Sequence, residues 1–552
     1  MAKPELRIIP LGGLGEIGKN MTVLELGNDA IIIDTGIMFP TNDMLGVDYI
    51  IPDFRYLVER EDLTIHGIIY THGHEDHTGA VAHVIGAFPG VPIWATPLTS
   101  ALLTVKLRDA KLLKQTKVNV FEAGDEINLG PFKIESFHVC HSIPDCVGFG
   151  ITTPYGIIVH TGDYKFDNTP NDGKKPDYAR LADFSRRGVL LLMGDSTNAD
   201  QPGWTPSESV VATAFDQVFR EAKGRIMIAT FASHLDRIQQ VASYAELYGR
   251  KLAIAGYSMT ENVKMARKMG ILDFDDDLLI DLHRLSSYQP DKVVIMVTGT
   301  QGEPSAVLGR LGMGQHRHLD IMEDDTIVIS AHAIPGNEEL VYRTINNLFQ
   351  RGANVIYDPI APVHVSGHAR QEEMKLMLNL TRPQYFLPVH GELRHLKEHA
   401  KLAIQSGVPA ENVFVAQNGM TLVFNKNGVH QGERVPGGYV FVDGSGVGDV
   451  GRAVMRDREI LARDGFMIVA VNIDRETGEL IDDPDILSRG FIYLREADEL
   501  IKMVKQTVEH SLESTRQSHN GKRRDTLQDN ISKVLYNETK RRPMVFSIIN
   551  EQ

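Results

Sequence analysis

The feature that most constrains this chain is the run HGHEDH at residues 72–77, which follows directly on an apolar, strand-like stretch. In an extended turn, residues two apart point the same way, so His72 and His74 can bind one ion. Asp76 and His77, at the start of a helix, can bind a second. The run therefore predicts a binuclear metal site, and its mixed nitrogen and oxygen ligands favour zinc. The alternative is a solvated, histidine-rich turn.

Six residues cannot complete two coordination spheres, so later parts of the chain must supply further ligands. Three candidates, His141, Asp163 and His390, each stand where a strand-like segment gives way to a turn. Any one of them alone would more often be an ordinary residue at a strand end. After the first motif, however, we expect all three to be ligands. Cys140 alternates away from the face of His141, and we interpret it as a small buried residue.

Length and composition set broad limits on the class of protein. At 552 residues the chain exceeds a single hydrophobic core, so two or more domains are expected. It has 42% hydrophobic and 23% charged residues, no apolar stretch of membrane-spanning length and no signal-peptide core near its start. We therefore expect a cytoplasmic protein without membrane association. With Cys140 and Cys146 as its two cysteines, the sequence excludes a disulfide framework.

The formal net charge of -15 counts against nucleic-acid binding, because proteins that bind phosphates usually carry a basic surface. Two dications would supply positive charge where it matters. Residues 106–117 also concentrate cations locally, although a solvated helix face is an equally good interpretation. Two further basic clusters, at 522–524 and 540–542, are interpreted as surface charge.

The candidate ligands occur in the order typical of a known superfamily. Asp34, the run at 72–77, His141, Asp163 and His390 resemble the motifs of the metallo-beta-lactamase superfamily. That superfamily contains thioesterases, lactamases and nucleases, so the resemblance alone does not decide the substrate. It implies that Asp34 holds a ligand imidazole in its tautomer from outside the coordination sphere. The alternative for Asp34 is a turn-capping residue.

The distance between Asp163 and His390 is too long for one loop and indicates an inserted domain. The segment between Asp163 and His390 contains GDSTN at 194–198 and HVSGH at 364–368, which resemble motifs of the beta-CASP nucleases. Asp195, His368 and His390 match that group's additional motifs. Three more segments are similar to the bacterial ribonuclease J family, and with them the resemblance spans essentially the whole chain: FASHLDR at 231–237, TGTQGEP at 298–304 and PVHGE at 388–392.

The expected fold class is α/β: a metallo-beta-lactamase αββα sandwich with an inserted beta-CASP α/β domain and a small C-terminal α/β domain. Alternating helices and apolar strands in the insertion predict a largely parallel sheet. The chain is predicted to divide into a first part of the sandwich, the insertion, the second part of the sandwich, a polar linker and the C-terminal domain, at residues 1–200, 201–362, 363–425, 426–451 and 452–552. In the last, strands at 466–473 and 490–493 and helices at 497–513 and 526–537 are expected.

The resemblance implies two zinc ions per chain, for which Mn²⁺ or Mg²⁺ could substitute. His72, His74 and His141 would bind one ion. The other would be bound by Asp76, His77 and His390, with Asp163 as the bridge. A structural Ca²⁺ is a further implication, and it would involve Asp48 and Asp443.

Roles in catalysis and substrate binding are likewise implied by the family. Asp76 would orient a metal-bound hydroxide for attack on the scissile phosphate, while Asp195 would keep His368 protonated as a general acid. The phosphate pocket would be lined by the HVSGH run and by two residues of the FASHLDR run: His364, Val365, Ser366, Gly367, His368, Ser233 and His234. For His364 and His234, the alternative is a structural histidine.

The sequence therefore predicts a zinc-dependent ribonuclease of the ribonuclease J type. The family implies 5′-to-3′ exonuclease action that favours 5′-monophosphate ends, together with endonuclease action, in messenger-RNA decay and ribosomal-RNA maturation. Its expected partners are single-stranded RNA, one or three further copies of the chain, and proteins of an RNA-degradation complex. Two alternatives are a DNA-directed beta-CASP nuclease and an RNA-binding scaffold with a degenerate site.

Two glycine-containing motifs have other interpretations. Residues 13–18 fit the dinucleotide fingerprint, but that fingerprint must open a helix, and residues 21–26 alternate like a strand. We therefore predict a tight hairpin loop near the metal cleft. Residues 298–304 could cradle a phosphate or form a turn before a helix, and the sequence leaves both open.

Overall fold

The structure is a computed structural model that describes residues 3–41, 43–334, 337–358, 360–492, 497–516 and 519–552. Contacts between residues divide the chain into two compact units. The first comprises Met1–Thr41 and Tyr49–Val440, and the second Asn42–Asp48 and Phe441–Gln552. The division lies within the segment predicted as a linker. That segment contains short strands.

The first unit begins with thirteen strands and five α-helices, counted over its described residues up to position 195. The strands are β1 (Leu6–Gly12), β2 (Leu14–Gly15), β3 (Met21–Leu26), β4 (Asp29–Ile33), β5 (Tyr49–Pro52), β6 (Thr64–Ile69), β7 (Ile93–Ala95), β8 (Val118–Val120), β9 (Glu126–Leu129), β10 (Phe132–His138), β11 (Val147–Thr153), β12 (Gly156–His160) and β13 (Val189–Asp195). The helices are α1 (Arg55–Glu59), α2 (Glu75–Thr78), α3 (Val81–Ala87), α4 (Pro97–Asp109) and α5 (Tyr178–Arg187).

The chain continues into an inserted region and then returns. The inserted elements are α6 (Ser209–Glu221), β14 (Ile226–Ala229), α7 (Leu235–Leu247), β15 (Lys251–Ala255), α8 (Tyr257–Lys268), β16 (Val293–Val297), α9 (Val307–Gly312), β17 (Thr326–Ile329), α10 (Glu338–Gln350) and β18 (Asn354–Tyr357). The returning elements are α11 (Gln371–Thr381), β19 (Tyr385–Val389), β20 (Gly391–Glu392), α12 (Leu393–Gln405), β21 (Leu422–Asn425) and β22 (Gly428–Gln431).

Two sheets face each other across a shared apolar core. One has eight strands in the order β22-β21-β1-β3-β4-β6-β7-β8, and the other has six in the order β19-β13-β12-β11-β10-β9. Leu24 and Ile33 of the first sheet pack in one cluster with Phe149 and Leu191 of the second. Helices cover the outer faces of both sheets. The αββα sandwich is thus confirmed, and it is completed only by strands that return after the insertion.

The insertion contains a five-stranded sheet in the order β15-β16-β14-β17-β18. All of its strand pairs are parallel, as the sequence predicts. The central strands β14, β16 and β17 are buried along their whole length, because helices lie on both faces of such a sheet.

Residues 13–18 do not open a helix. They contain β2, which pairs with β20, and they lead into β3, which runs antiparallel to β1. The hairpin interpretation is confirmed. The loop also reaches the candidate metal site, because the backbone N–H of Asn20 donates to the carbonyl of Asp76 at 3.0 Å.

The second unit is a small α/β domain. Its elements, beginning with a strand that crosses the division, are β23 (Tyr439–Asp443), β24 (Gly446–Val447), α13 (Arg452–Asp464), β25 (Phe466–Ile473), β26 (Asp485–Arg489), α14 (Asp498–Ser514), α15 (Asn520–Thr539) and β27 (Met544–Glu551). β25 pairs antiparallel with β26 and parallel with β27, and side chains of α14 and α15 share its core.

One predicted strand of this domain lies elsewhere. Instead of 490–493, the strand is β26, which ends before Gly490. Gly490 has a φ of 68°, a left-handed conformation that interrupts the strand. Tyr493 lies outside the described residues. The predicted helix at 526–537 is longer than expected and begins at Asn520.

None of the helices in the described part of the chain is both long and apolar enough to cross a membrane.

Glu373, in the first turn of α11, joins three separate segments of the first unit. Its buried carboxylate accepts hydrogen bonds from the backbone N–H groups of Phe166 at 2.8 Å, Thr205 at 2.7 Å and Arg370 at 2.9 Å. Glu373 therefore holds together the segment after Asp163, the segment after the GDSTN motif and the start of α11.

We predict that Glu373→Ala destabilises the chain, because two buried backbone donors and one partly buried donor lose their acceptor at a cost of about 3 kcal/mol. In a unit of this size, the midpoint of thermal unfolding should fall by about 5 °C. The matched control is Glu372→Ala, which removes only a partly exposed ion pair with Lys375. Equal midpoints for the two variants would contradict the role of Glu373.

Candidate metal centre

The candidate ligands meet where strands of both sheets end. Asp34 follows β4, the run at 72–77 follows β6, and Asp163 lies shortly after β12. His390 directly follows β19. Asp34 and His390 have φ values of 59° and 52°, a left-handed conformation that costs about 1 to 3 kcal/mol per residue outside glycine. The surrounding structure holds both side chains toward the same cleft.

Three imidazoles form the first ligand set. Nδ1 of His74 lies 3.1 Å from Nε2 of His72 and 3.2 Å from Nε2 of His141. Metal–nitrogen bonds of about 2.0 to 2.1 Å at tetrahedral angles separate two ligand atoms by about 3.3 Å. These nitrogens therefore have the spacing of ligands that share one ion.

The second set combines imidazoles and carboxylates. Oδ2 of Asp76 lies 3.3 Å from Nε2 of His390 and 3.5 Å from Nε2 of His77. Oδ2 of Asp163 lies 3.2 Å from the same nitrogen of His77. His390 Nε2 is buried and has no hydrogen-bond partner within the described residues, as a metal-ligating atom would.

One oxygen belongs to both sets. Oδ2 of Asp163 is 3.6 Å from Nε2 of His72 and 3.8 Å from Nε2 of His141, in addition to its contact with His77. Its other oxygen, Oδ1, lies 2.8 Å from Nδ1 of His390. The residues present therefore fit two ions with a bridging carboxylate.

Hydrogen bonds at the far side of the rings set their tautomers. His77 Nδ1 lies 2.8 Å from Oδ2 of Asp34, a carboxylate that also accepts from the backbone N–H and the hydroxyl of Thr71, each at 2.8 Å. His141 Nδ1 lies 2.8 Å from the carbonyl of Gly367. If each Nδ1 carries the proton, the Nε2 lone pairs of His77 and His141 point into the site.

The charge states of the first ligand set and of Asp163 suit metal binding. Burial lowers the pKa of His72 and His141 well below the usual range and that of His74 to about 4, so these rings are neutral. Burial raises the pKa of the Asp163 carboxyl, but the neighbouring imidazoles lower it further, and the net direction is strongly down. Neutral imidazoles and an ionised carboxylate are the forms that bind metal.

In the second set, burial lowers the pKa values of His77 and His390, but the neighbouring carboxylates raise them by more, to well above the usual range for His77 and to about 10 for His390. A cation would therefore have to displace these protons.

A second pair lies at the edge of the metal centre. His368 Nδ1 lies 2.8 Å from Oδ2 of Asp195, the last residue of β13. Burial lowers the pKa of His368 and the Asp195 carboxylate raises it, with a net increase. The two side chains lie with Asp163 and His390 in one group of potential ligand atoms within 4.8 Å of one another. The Asp195 carboxylate thus favours the protonated form of the His368 imidazole, which lies beside Asp163.

Sequence reasoning missed the residues that hold this pair. Thr197 donates from its backbone N–H and its hydroxyl to Oδ1 of Asp195, at 3.0 and 2.7 Å. Asn198 donates to Ser366 Oγ at 2.9 Å and to the carbonyl of His368 at 3.2 Å. Both residues belong to the GDSTN motif, so the motif carried a signal. Asn20, whose side chain contacts Asp76 and His77, carried none.

The predicted phosphate pocket contains buried imidazoles with free nitrogens. The rings of His234 and His364 lie 6.4 Å apart. Among the residues that the structure describes, neither nitrogen of His234 has a hydrogen-bond partner, and His364 Nδ1 has none. Ser233 lines a small, mostly apolar cleft whose lining does not include His234 or His364. Val365 differs from expectation, because its side chain packs in the hydrophobic core and only its backbone can face a ligand.

The predicted structural calcium site stays a prediction. Oδ2 of Asp48 accepts from the backbone N–H of Gly444 at 2.8 Å, and Asp443 forms an ion pair with Arg458. The described residues do not bring a third histidine, cysteine or acidic side chain into a ligand group with these two.

The sandwich, the strand-end ligands and the inserted domain define a metal-dependent hydrolase of the metallo-beta-lactamase fold. Four family models match the chain: the metallo-beta-lactamase superfamily at residues 14–211, the ribonuclease J beta-CASP domain at 223–348, the RNA specificity domain of Zn-dependent metallo-hydrolases at 352–416, and the ribonuclease J C-terminal domain at 453–552.

Full-length relatives agree. Ribonuclease J2 of Bacillus subtilis is 40% identical over 549 residues, which cover 99% of this chain and 98% of the relative. Ribonuclease J 2 of Staphylococcus epidermidis is 37% identical and that of Staphylococcus aureus 36%, each with 99% of this chain and 98% of the relative covered. This chain belongs to the ribonuclease J family. It is a metal-dependent ribonuclease that binds RNA.

A solved structure shares the fold at lower sequence similarity. It is a protein of unknown function from Enterococcus faecalis, with a TM-score of 0.54 and 16% identity. It covers 76% of this chain, and all of its own length is matched.

We predict that His77→Ala removes RNA cleavage, with kcat reduced by at least about a thousandfold, because one ligand of the second set is lost. Elemental analysis should find fewer than two ions per folded chain. The matched control is His83→Ala, since His83 lies on the neighbouring helix α3 and its Nε2 contacts Tyr49 instead of the ligand set. Undiminished turnover in His77→Ala would contradict the ligand assignment.

Proposed function

We propose that this chain uses two zinc ions to cleave single-stranded RNA, as a 5′-to-3′ exonuclease that prefers 5′-monophosphate ends and as an endonuclease. The observation that carries the proposal is the single oxygen of Asp163 shared by two ligand sets, with His368 beside it. When bound, two such ions lower the pKa of a water ligand and neutralise charge on the phosphate oxygens. Nitrogen-rich sets of this kind favour zinc over Mg²⁺.

The side chains around the centre divide the remaining work. Asp34 holds His77 in position, and Asp76, partly exposed at the cleft, orients the attacking water. His368, protonated beside Asp195, donates a proton to the departing 3′ oxygen. In this proposal, Asp76 and His368 therefore act on opposite sides of the scissile phosphodiester.

The preference for a 5′-monophosphate follows from the phosphate pocket. His234 and His364 are buried, and their unpartnered nitrogens need a ligand group to offset the cost of burial. A single terminal phosphate is the ligand that we assign to these nitrogens. Ser366 and the backbone of Gly367 would complete the contacts.

The family also suggests the setting in which the chain acts. We propose that it works on messenger RNA and ribosomal-RNA precursors in the cytoplasm, as a homodimer or homotetramer that joins an RNA-degradation complex. Exposed Phe546 and Ile548 on β27 support self-association, because they place apolar surface on the outer face of a sheet.

We predict that His368→Ala lowers kcat by about a hundredfold to ten-thousandfold, the usual effect of losing a general acid. Both metal ions should remain bound, because the imidazole donates a proton and does not complete either set. Elemental analysis of the purified variant checks this. Loss of an ion together with activity would instead place His368 in a coordination sphere.

The proposed function is tested with one RNA sequence that carries a 5′-monophosphate, a 5′-triphosphate or a 5′-hydroxyl, beside DNA of the same sequence. We expect the monophosphorylated RNA to yield mononucleotides at least about tenfold faster than the triphosphorylated RNA, since the proposed contacts of His234 and His364 are to one terminal phosphate. Internal cleavage should give larger fragments from all three RNAs. Equal exonuclease rates for all ends, or cleavage of DNA alone, would refute the proposal.

A further inference from the structure

The TGTQGEP motif at 298–304 forms a turn between β16 and α9. Its Gln301 is buried, and its side-chain amide binds the backbone of a neighbouring loop. Nε2 donates to the carbonyl of His332 at 2.9 Å, and Oε1 accepts from the N–H of Ile334 at 2.7 Å. One side chain thus fixes residues 332–334 in the loop that follows β17.

This loop is also fastened to the strand-like segment that carries the phosphate pocket. The hydroxyl of Ser330 donates to the carbonyl of Val363 at 2.7 Å, and buried Arg237 donates to the same carbonyl at 2.6 Å. Val363 immediately precedes His364. Hydrogen bonds from Gln301 to the loop, and from Ser330 and Arg237 to Val363, therefore fix the position of the loop relative to the pocket.

The fastened loop places His332 directly against the pocket. The ring of His332 lies 4.5 Å from that of His364, with an angle of 89° between their planes. The ring of His364 in turn lies 6.4 Å from that of His234. Three imidazoles form a row that begins at two buried rings with unpartnered nitrogens and ends at His332, whose side chain is 47% exposed.

We propose that His332 is an RNA-binding residue, whose imidazole contacts the phosphodiester next to the phosphate held by His234 and His364. The proposal rests on the proposed function of that pocket. Nδ1 of His332 lies 3.7 Å from Oδ2 of Asp358, beyond hydrogen-bond distance. In the neutral tautomer that carries its proton on Nε2, the imidazole can donate from that nitrogen to a phosphate oxygen. Gln301 is the positioning residue that holds the loop.

The chemistry of the row suits a nucleic-acid backbone. Successive backbone phosphates offer a series of acceptors, and each imidazole N–H can donate to one. A carboxylate beside the donor nitrogen would repel a phosphate. The Asp358 carboxylate, however, lies nearest Nδ1 of His332, and the proposed donor is Nε2. His332 would thus extend binding from the buried pocket toward the surface.

The test uses the metal-loaded full chain and a 5′-monophosphorylated oligoribonucleotide of about ten residues. We expect His332→Ala to raise KM about tenfold, as for a lost hydrogen bond to a charged group, with a much smaller change in kcat. His332→Gln keeps an N–H donor and should restore most of the affinity. The matched control is His318→Ala, because His318 is an exposed histidine of the same domain that contacts His283 and His316 instead.

The outcomes separate this inference from the proposed function. An unchanged KM in His332→Ala, a fall in kcat alone, or a His332→Gln variant as impaired as His332→Ala would overturn the role of His332. If His364→Ala also leaves RNA turnover unchanged, the assignment of the phosphate pocket in the proposed function is refuted. If His364→Ala is impaired while His332→Ala matches the His318→Ala control, only the inference about His332 fails.

Discussion

The carboxylate of Asp163 is the constraint on which the rest of the site depends. One of its oxygens lies within 3.2 to 3.8 Å of ligand nitrogens from both sets. A buried carboxylate costs several kcal/mol unless cations offset it. The facing sheets bring strand ends from distant parts of the sequence around this residue, and two neighbours, Asp34 and His390, adopt left-handed backbone conformations there.

The residues that distinguish this site from a metal centre alone lie on both sides of the inserted domain. Asp195 ends a strand of the sandwich, whereas His368 arrives only after the insertion, and their contact at 2.8 Å joins the two. Thr197 and Asn198 fix this contact through hydrogen bonds to Asp195 and to the segment of His368. The pair that we propose as the general acid is therefore assembled from segments on both sides of the insertion, and its placement depends on the return of the chain.

Much of this arrangement could be predicted from the sequence, because strand-end polar residues and amphipathic periods are local signals. They correctly predicted the parallel inserted sheet. Contacts between distant segments left no such signal. The supporting roles of Asn20 and Gln301, the core position of the Val365 side chain and the strands within the expected linker depend on tertiary packing, which a single sequence does not reveal.

The central claim is that two ions share the carboxylate of Asp163. The most direct measurement is X-ray diffraction from zinc-loaded crystals, with data collected on both sides of the zinc absorption edge. We expect two anomalous peaks per chain, about 3.5 to 4 Å apart, with Asp163 between them. A single peak, or two peaks of which neither contacts Asp163, would contradict it.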